Sequence, residues 1–372
     1  MRSNRTRSRL SRRSWSVLSI GGAIVVGTVT VSLTGPHAPK PAPSPAVEAA
    51  RHARPSPSPV LPDGDIKQDP VRPSPTPQPS ITATVQGDGS ERLTADSGRP
   101  FAADSAWNTP IPADPRLAAN SDAAAAHLSR QVVANLYEFG SPVYTVSGSA
   151  DRQNIPCLED WGPCLLKSVP IPMTAKTSSG SDSSMIIVDR SRKKVYDFWQ
   201  LRQSGGGWQA SWGTANPLYG KSNENGGAVG AGYSGLAGLV RMFEIRQGHI
   251  DHALHFSTDN SCSGRFLYPA TKTDGSSGAG DCVPEGARVQ LDPSVDVDAI
   301  PGITRGEKIV AKALQKYGAY NQNNGGAPMA FGFENPAGRA DPYPAAGLDH
   351  DYYDFPHIPW TKLRVLASWN GR

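Results

Sequence analysis

The chain has 372 residues, of which 38% are hydrophobic and 19% charged, with 38 glycines and 34 prolines. Its formal net charge is +4, but six arginines lie in the first 13 residues, and residues 1–34 contain no Lys, Asp or Glu. Residues 35–372 therefore carry 4 − 6 = −2. This charge excludes a strongly basic nucleic-acid-binding surface on that part of the chain.

The first 34 residues have the pattern of a segment that directs export. The arginines precede an uncharged apolar run, residues 15–33, which as a helix rises about 28 Å and matches the thickness of a bilayer core. The stretch Ser11-Arg12-Arg13-Ser14-Trp15 resembles a twin-arginine export signal. The pattern predicts either a cleaved signal peptide or an uncleaved membrane anchor. In both cases we expect the rest of the chain to be extracellular or at the cell surface.

A proline-rich linker is predicted for residues 35–98. Residues 35–80 contain 14 prolines, many of them in Pro-Ser-Pro or Pro-Thr-Pro steps. Proline fixes φ and removes a hydrogen-bond donor, so neither helix nor sheet is expected there. We expect a disordered, polyproline-like spacer that extends about 3.1 Å per residue and holds a domain away from a membrane.

Residues 99–372 are expected to form a single β-rich globular domain. Two helices are predicted in it. Ser121 is placed to cap a helix over residues 122–138, and Thr304 with Glu307 forms a capping-box pattern that starts another. Apolar runs between glycine-rich turns predict strands at 185–188, 195–199, 208–212, 239–245 and 250–256. Many short strands and few helices indicate a β-sandwich or jelly roll with two or three peripheral helices.

The four cysteines fall into two local pairs. Four cysteines allow three pairings, and in an exported chain we favour the local one, Cys157 with Cys164 and Cys262 with Cys282. A competing interpretation makes Cys262 a nucleophile. The segment Ser261-Cys262-Ser263-Gly264, with His255 before it, resembles the catalytic segment of the cell-wall L,D-transpeptidases.

The densest run of chemically active residues is 235–256. It contains Gly-Leu-Val-Arg ending at Arg241, then Glu244, and then Gly-His-Ile-Asp-His-Ala-Leu-His-Phe ending at Phe256. With the later Pro284-Glu285-Gly286 and Tyr317-Gly318, this layout resembles a group of exported bacterial proteins of unestablished activity. The resemblance covers about residues 104–365 and implies export and homology rather than a mechanism.

A second set of residues is similar in order to the strands of alginate-lyase-like jelly rolls. Arg241, Glu244 and Arg246 come first, then His252, then Tyr320-Asn321-Gln322. The Arg–Glu spacing is one residue longer than in that family, and a helix end replaces its Lys-x-Gly-x-Tyr strand. The resemblance implies β-elimination on a uronate, in which Arg241 neutralises the carboxylate, His252 is the base and Tyr320 the acid.

Glycoside hydrolysis is the other chemistry for which the sequence has suitable residues. It needs two carboxyl groups, which Glu244 with Asp251 or Asp189 would supply. Alternation along a strand at 250–256 would put His252 on an apolar face, and Asp251 with His255 on a polar one. Each of these side chains also has an ordinary structural interpretation as a core hydrogen-bonding or solvated residue. The candidate catalytic residues are Arg241, Glu244, Asp251, His252, His255 and Tyr320.

Tryptophans and amides supply a separate indication of sugar binding. Sugar rings stack their apolar faces on aromatic side chains, while their hydroxyls need polar partners. The candidate substrate-binding residues are Trp199, Trp212, Asn321 and Gln322, and ordinary core and hairpin packing is the alternative for the tryptophans, which include Trp107, Trp161, Trp208 and Trp360.

We therefore expect an exported cell-surface protein whose partner is a polysaccharide or cell-wall glycan. The leading hypothesis is a polysaccharide-cleaving enzyme, a lyase or a glycoside hydrolase. The alternative is a non-catalytic glycan-binding or wall-attachment module. No cofactor, metal or nucleic-acid partner is predicted, and the membrane is a partner only through the N-terminal segment.

Overall fold

Two β-sheets of unequal size form the frame of the chain in the computed structural model, which describes residues 99–147, 151–172 and 174–368. The predicted export segment and linker, residues 1–98, lie outside the described residues. All described residues belong to the unit Ile81–Arg372. Among them, no helix has the length and apolar character needed to cross a bilayer.

Strands are the main elements of the described residues, at 28% against 13% in helices. In chain order the strands are β1 (Val132–Asn135), β2 (Val143–Val146), β3 (Arg152–Gln153), β4 (Val169–Pro170), β5 (Met185–Asp189), β6 (Lys194–Trp199), β7 (Arg202–Ser204), β8 (Gly207–Gln209), β9 (Trp212–Pro217), β10 (Leu254–Thr258), β11 (Ser261–Phe266), β12 (Val283–Glu285), β13 (Arg288–Leu291), β14 (Ala319–Asn324), β15 (Met329–Gly332) and β16 (Leu363–Val365).

The larger sheet is mixed and has the strand order β1-β15-β10-β14-β13-β16. The pairs β1–β15 and β10–β14 are parallel, and the other neighbours are antiparallel. Alternate side chains on its strands, such as Leu254 and Phe256 on β10, enter one hydrophobic core with the helix of residues Arg305–Lys316. The opposite face of the same strands is therefore free to carry polar side chains.

The smaller sheet has the order β2-β5-β6-β9. Strands β5 and β6 form the predicted hairpin in full antiparallel register, with Ile186 opposite Asp197. The predicted strand at 208–212 is instead divided between β8 and β9, which belong to different sheets.

A hydrophobic layer lies between the two sheets. Ile186, Val188 and Val195 of the smaller sheet meet Tyr320 of the larger one there, around the buried Trp107. A further core covers the outer face of the smaller sheet. This arrangement of two packed sheets confirms the predicted mainly β fold, a β-sandwich with few helices.

The three α-helices of the described residues are α1 (Ser121–Leu128), α2 (Met242–Gln247) and α3 (Arg305–Lys316). Short 3₁₀ turns cover Val297–Ala299, Pro344–Ala346 and Trp360–Lys362. Helix α3 confirms the capping-box prediction: Thr304 Oγ1 accepts from the Glu307 N–H at 3.2 Å, and the Glu307 carboxylate accepts from the Thr304 N–H at 2.8 Å.

The predicted helix over 122–138 is wrong in its second half. Helix α1 ends at Leu128, and the β-branched Val132 and Val133 lie in β1, paired with β15. Pairing with a strand almost 200 residues away overrides the helical spacing. Ser121 does not cap the helix either, because its hydroxyl accepts from the Val365 N–H at 3.0 Å.

The predicted strand at 239–245 is also wrong. The Arg241 N–H donates to the Glu244 carboxylate at 2.8 Å, which closes the first turn of α2, and Gly248 ends the helix with φ +95°. The strand predicted at 250–256 begins only at Leu254. The alternation assumed for His252 therefore does not apply, because this residue precedes β10.

Both predicted disulfides are present, Cys157–Cys164 and Cys262–Cys282. No free cysteine occurs in the described residues, so a nucleophilic Cys262 is excluded in this state. The bridges are consistent with an oxidising, extracellular location.

Candidate functional site

A cleft of about 930 Å³ opens at one edge of the layer between the two sheets. One wall is the polar face of the larger sheet, with side chains from β1, β15, β10 and β14. The other wall comes from β5, β6 and β9 of the smaller sheet, and loop residues 227–230 close one side. A volume of this size lies at the upper end of the range for small-molecule sites.

Strand alternation explains which residues of the larger sheet reach the cleft. On β10 the side chains of Leu254 and Phe256 pack in the core, so those of His255 and Ser257 face the cleft. On β15 the core takes Phe331, so Gly332 faces it. The polar face thus arises from the same two-residue period that builds the core behind it.

His255 is buried at 4% exposure and held in one tautomer. Its Nδ1–H donates to the Ala237 carbonyl at 2.8 Å, because a carbonyl oxygen can only accept. Burial, with the charge of nearby His252, lowers the pKa of His255 to about 4, although the Ala237 hydrogen bond acts the other way. The ring is neutral at pH 7, and its Nε2 carries a lone pair.

Gly332 makes room for this imidazole. A β-carbon at that position would lie 1.8 Å from His255 Nε2. Because Nδ1 is fixed to Ala237, the ring cannot swing aside without losing its hydrogen bond. Nε2 therefore lies directly over the backbone of β15 on the cleft face.

Asp197 lies at the floor of the cleft on β6, at 1% exposure. Its Oδ1 accepts from the Ser234 hydroxyl at 3.0 Å, while Oδ2 has no hydrogen-bond partner among the described residues. Burial raises its pKa to about 7, although the Ser234 hydroxyl and the backbone N–H groups of Gly235 and Leu236 act in the opposite direction. Below that pH the carboxyl holds its proton.

One short loop anchors both groups. Ser234 holds the Asp197 carboxyl, and Ala237, three residues later, holds the His255 imidazole. Gly238 within this loop has φ +77°, and a β-carbon there would lie 2.7 Å from the backbone N of His255. The loop thus holds one side chain of the smaller sheet and one of the larger sheet, and both of them line the cleft.

Three tryptophans gather at one end of the cleft. Trp161 stacks on Trp199 with ring centroids 5.7 Å apart and lies 5.9 Å from Trp212. The Cys157–Cys164 disulfide loop presents Trp161, whose exposure is 59%. Trp199 Nε1–H donates to Asp182 at 3.1 Å, which fixes the ring plane. We call these three residues the tryptophan platform.

The cleft wall has few charged side chains, and their net charge is negative. The charged side chains that line it, among the described residues, are Asp182, Asp197, Lys272 and Asp274. Asp274 Oδ1 accepts from the Asn324 N–H at 2.9 Å, and the buried Gln322 has an unpartnered Oε1. Since Asp197 is protonated below about pH 7, the wall carries about one net negative charge.

No family model, curated protein or solved structure matches this chain. The resemblances to known families therefore stay predictions.

The predicted catalytic residues Arg241, Glu244 and His252 lie together, but in a buried ion network. Arg241 Nε–H donates to Glu334 at 2.7 Å, and Glu334 also contacts Arg339 at 3.1 Å. Glu244 accepts from His252 Nε2 at 2.9 Å, while His252 Nδ1 contacts the Ala253 carbonyl. We call these five residues the buried ion network. None of them lines the cleft.

His252 is the charged counterpart of His255. Both of its ring nitrogens face acceptors, so both carry protons. Burial opposes this charge, but the Glu244 carboxylate outweighs it and raises the pKa of His252 above its usual value. A histidine with both nitrogens engaged in this way orients and stabilises rather than accepting a further proton.

The other predicted catalytic residues also lie apart from the cleft, except His255. Asp251 is half-exposed beside His249 and Lys316. Tyr320 is fully buried, its ring 5.0 Å from that of Trp107, and burial raises its pKa to about 12. Asp189, the alternative carboxylate, is fully buried and contacts Arg152 at 2.8 Å.

Three of the four predicted substrate-binding residues line the cleft: Trp199, Trp212 and Gln322. Asn321, the fourth, points to the other face of β14, where its Nδ2 donates to Ser261 Oγ and to the Val283 carbonyl. Neighbouring residues of a strand face opposite sides, so Asn321 and Gln322 could not both reach the cleft through their side chains.

Asp197 is the main cleft residue that was not predicted from the sequence. The signal was present, since an Asp stands between Tyr196 and Phe198 in an otherwise apolar strand. Burying a lone carboxyl in such a run costs free energy, because burial disfavours its charged form. Such a residue is therefore a candidate for a functional role. No group of three or more His, Cys, Asp or Glu side chains that could hold a metal occurs in the described residues.

Proposed function

We propose that this protein is exported and cleaves a polysaccharide at the cell surface, with the cleft as its active site. The observation that carries the proposal is the tryptophan platform at the end of a polar cleft. Stacked aromatic rings bind the apolar faces of sugars, and the amides and carboxyls beyond them suit hydroxyl groups.

Placement outside the cytoplasm is part of the proposal. The arginine-rich start, the apolar run and the proline-rich linker support export, and the two disulfides suit an oxidising compartment. Fractionation of expressing cells tests this: the chain should be in the medium if the N-terminal segment is cleaved and in the membrane fraction if it is retained. Recovery only from the cytoplasm would contradict export.

Cleavage is tested with the full-length chain, its disulfides intact, on a panel of neutral and uronate-containing polysaccharides. Release of reducing ends reports any cleavage, and ultraviolet absorbance reports the new C=C bond of an elimination. Reducing ends released together with new ultraviolet absorbance would support a lyase. Reducing ends released without it would support a glycoside hydrolase. If no polysaccharide releases reducing ends, the proposal that the protein is a polysaccharide-cleaving enzyme is contradicted.

A non-catalytic glycan-binding or wall-attachment module is the second candidate. The observation that favours it is the location of Arg241, Glu244, His252 and Tyr320, all of which lie outside the cleft wall. A binding module needs only the platform and the amides. Retention of the protein on an immobilised glycan that it does not cleave would support this function instead.

A further inference from the structure

We propose that the cleft hydrolyses a neutral glycan by direct attack of water, with Asp197 as the general acid and His255 as the general base. The inference rests on the proposed function and specifies its chemistry. It uses two side chains that come from opposite sheets and both line the cleft, and neither belongs to the buried ion network.

The place of the acid follows from the register of β6. Asp197 and Trp199 share a face of this strand, two residues apart, so their α-carbons lie about 7 Å from each other. A sugar ring stacked on the tryptophan platform therefore has its next glycosidic bond over Asp197. The Asp197 Oδ2 atom is buried and has no hydrogen-bond partner among the described residues, so the inference assigns to it the proton that the glycosidic oxygen receives.

The place of the base follows from the tautomer of His255. Nδ1–H donates to the Ala237 carbonyl, so Nε2 is the acceptor, and the ring lies against Gly332, where a β-carbon would clash with Nε2. Because His255 comes from the larger sheet and Asp197 from the smaller, a glycan between the walls meets the two groups on opposite sides. Hydrolysis with inversion needs this arrangement, with the acid on one side and a water on the other.

The step balances without a cofactor. His255 Nε2 takes a proton from water as the water oxygen bonds to the anomeric carbon. The bond from that carbon to the glycosidic oxygen breaks, and the leaving oxygen receives the proton of Asp197. Asp197 is left ionised and His255 protonated, and exchange of one proton through solvent restores both. The configuration at the anomeric carbon is inverted.

The charge of the cleft wall favours a neutral substrate. Three aspartates and one lysine line it, and Arg241, which would neutralise a uronate, contacts Glu334 outside the cleft. A polyuronate would bring negative charge to a wall of the same sign, which weakens its binding. The half-exposed Asp182 and exposed Asp274 instead suit the positive charge that develops on the sugar during hydrolysis.

The protonation states match these roles. Asp197 keeps its proton until the pH approaches about 7, and His255 stays unprotonated down to about 4. Besides burial, the groups that act on these pKa values are Ser234 and the backbone N–H groups of Gly235 and Leu236 for Asp197, and the Ala237 carbonyl and His252 for His255. Asp182, Lys272 and Asp274 are the other charged side chains that line the cleft among the described residues. Asp197 loses its proton, and with it the acid function, as pH rises through about 7. His255 gains a proton, and loses the base function, as pH falls through about 4. We therefore expect a bell-shaped pH profile of kcat/KM between these limits.

The test compares the wild-type chain with Asp197→Asn and His255→Asn on a neutral glucan, mannan, galactan and chitin oligosaccharide. Asparagine at 255 keeps a donor for the Ala237 carbonyl but has no Nε2. We expect kcat/KM to fall about 10²- to 10⁴-fold in each variant. Proton NMR of the first-formed sugar should show the inverted anomer.

A substrate with an acidic leaving group separates the two roles. A nitrophenyl glycoside needs no proton on its departing oxygen, so Asp197→Asn should cleave it at close to the wild-type rate, while His255→Asn should not. Gly332→Ala retains both groups but its β-carbon displaces the imidazole, so it should lower kcat and leave KM nearly unchanged. Matched controls are His127→Gln and Asp259→Asn, a histidine–aspartate pair in contact at 2.6 Å away from the cleft.

Each result separates the inference from the proposed function. Loss of cleavage in the Asp197 and His255 variants alone, with inversion, supports the pair. Three results would overturn the inference: cleavage at the wild-type rate in both variants, retention of configuration, or an unsaturated product that absorbs ultraviolet light. Each of them would still support a polysaccharide-cleaving enzyme. No cleavage by the wild-type chain overturns the proposed function itself, and the inference with it.

Discussion

The cleft and the buried ion network are two polar clusters in one sandwich, and they differ in how their groups are partnered. In the network each acidic group faces a cation, as Glu334 faces Arg241 and Arg339 and Glu244 faces His252. In the cleft, Asp197 and His255 are similarly buried but have no ionic partner among the described residues, and both line the cavity.

This difference indicates which cluster stabilises the fold and which reduces its stability. Removing one partner of a buried ion pair leaves an uncompensated charge in the interior and is strongly destabilising. A buried group without an ionic partner reduces the free energy of unfolding at any pH where the group would be charged in the unfolded chain but is neutral in the folded one. Groups with such shifted pKa values concentrate at functional sites. Mutations in the two clusters should therefore have opposite effects on the free energy of unfolding.

The largest effect is expected in the network. Glu334→Gln removes the carboxylate from Arg241, whose guanidinium remains buried, and should lower the free energy of unfolding by about 3–5 kcal/mol. Urea denaturation measures it. The matched control is Asp104→Asn, which removes an exposed partner of Lys221 and should change stability very little. A loss in Glu334→Gln no larger than in this control would contradict the role of the network.

The opposite sign is expected at Asp197. Its folded pKa is raised to about 7, so between about pH 4 and 7 the unfolded chain releases a proton that the folded chain retains, and stability falls as pH rises. Asp197→Asn removes this dependence and should be more stable than wild type by about 2–4 kcal/mol at pH 7.5. Urea midpoints at pH 4 and 7.5 measure the difference.

Asp189→Asn is the control for the Asp197 variant. Asp189 is buried on the neighbouring strand β5, but Arg152 and Ser191 outweigh burial and lower its pKa. Its replacement should reduce stability at pH 7.5. If both variants lose stability to a similar degree, Asp197 is an ordinary structural residue and the contrast between the clusters fails.

The two histidines should also respond to pH with opposite signs. The pKa of His255 is lowered to about 4, so its contribution is full above about pH 6.5 and is lost as pH falls toward 4. The pKa of His252 is raised, so its contribution is full below about 6.5 and is lost as pH rises through the folded value.

The experiment compares stability at pH 8 and pH 5 for the wild type, His255→Asn and His252→Gln. His255→Asn should reduce the loss on going to pH 5 by about 2 kcal/mol, and His252→Gln should remove a gain in the same interval. Using the difference between two pH values cancels the packing changes in each variant. The same sign for both histidines would show that their environments are not distinct.

The smallest effect is expected at the tryptophan platform. Trp161 is 59% exposed, so Trp161→Ala should leave the unfolding midpoint unchanged and weaken glycan binding by roughly 10-fold, which calorimetry measures. Leu158→Ala, an exposed residue of the same disulfide loop, is the matched control and should bind normally. Unchanged affinity in Trp161→Ala would remove the platform from the proposed site.

Features set by neighbouring residues were predictable. The capping box of Thr304 and Glu307, the β5–β6 hairpin and both disulfides involve residues separated by no more than 20 positions. In contrast, the helical spacing of residues 132–138 was misleading, because a parallel partner strand, β15, determines their conformation.

The site was predicted only in part for the same reason. The dense run at 235–256 drew attention to Arg241, Glu244 and His252, which lie in the buried ion network, while His255 is the one predicted catalytic residue that lines the cleft. A short helix at Met242–Gln247, closed by Glu244, breaks the strand on which the predicted faces depended. Trp199 and Trp212 do lie together at the cleft, because they are in register on adjacent strands.

By itself the sequence determined the mainly β fold, the local cysteine pairing and the capped helix α3, because turn chemistry, alternation and short spacings act along the chain. Only the tertiary structure decided which polar residues meet. Asp197 and His255 are 58 positions apart on different sheets, and a single loop from Ser234 to Gly238 anchors them at one cleft. Such a meeting depends on how two sheets pack, and no local pattern in the chain encodes it.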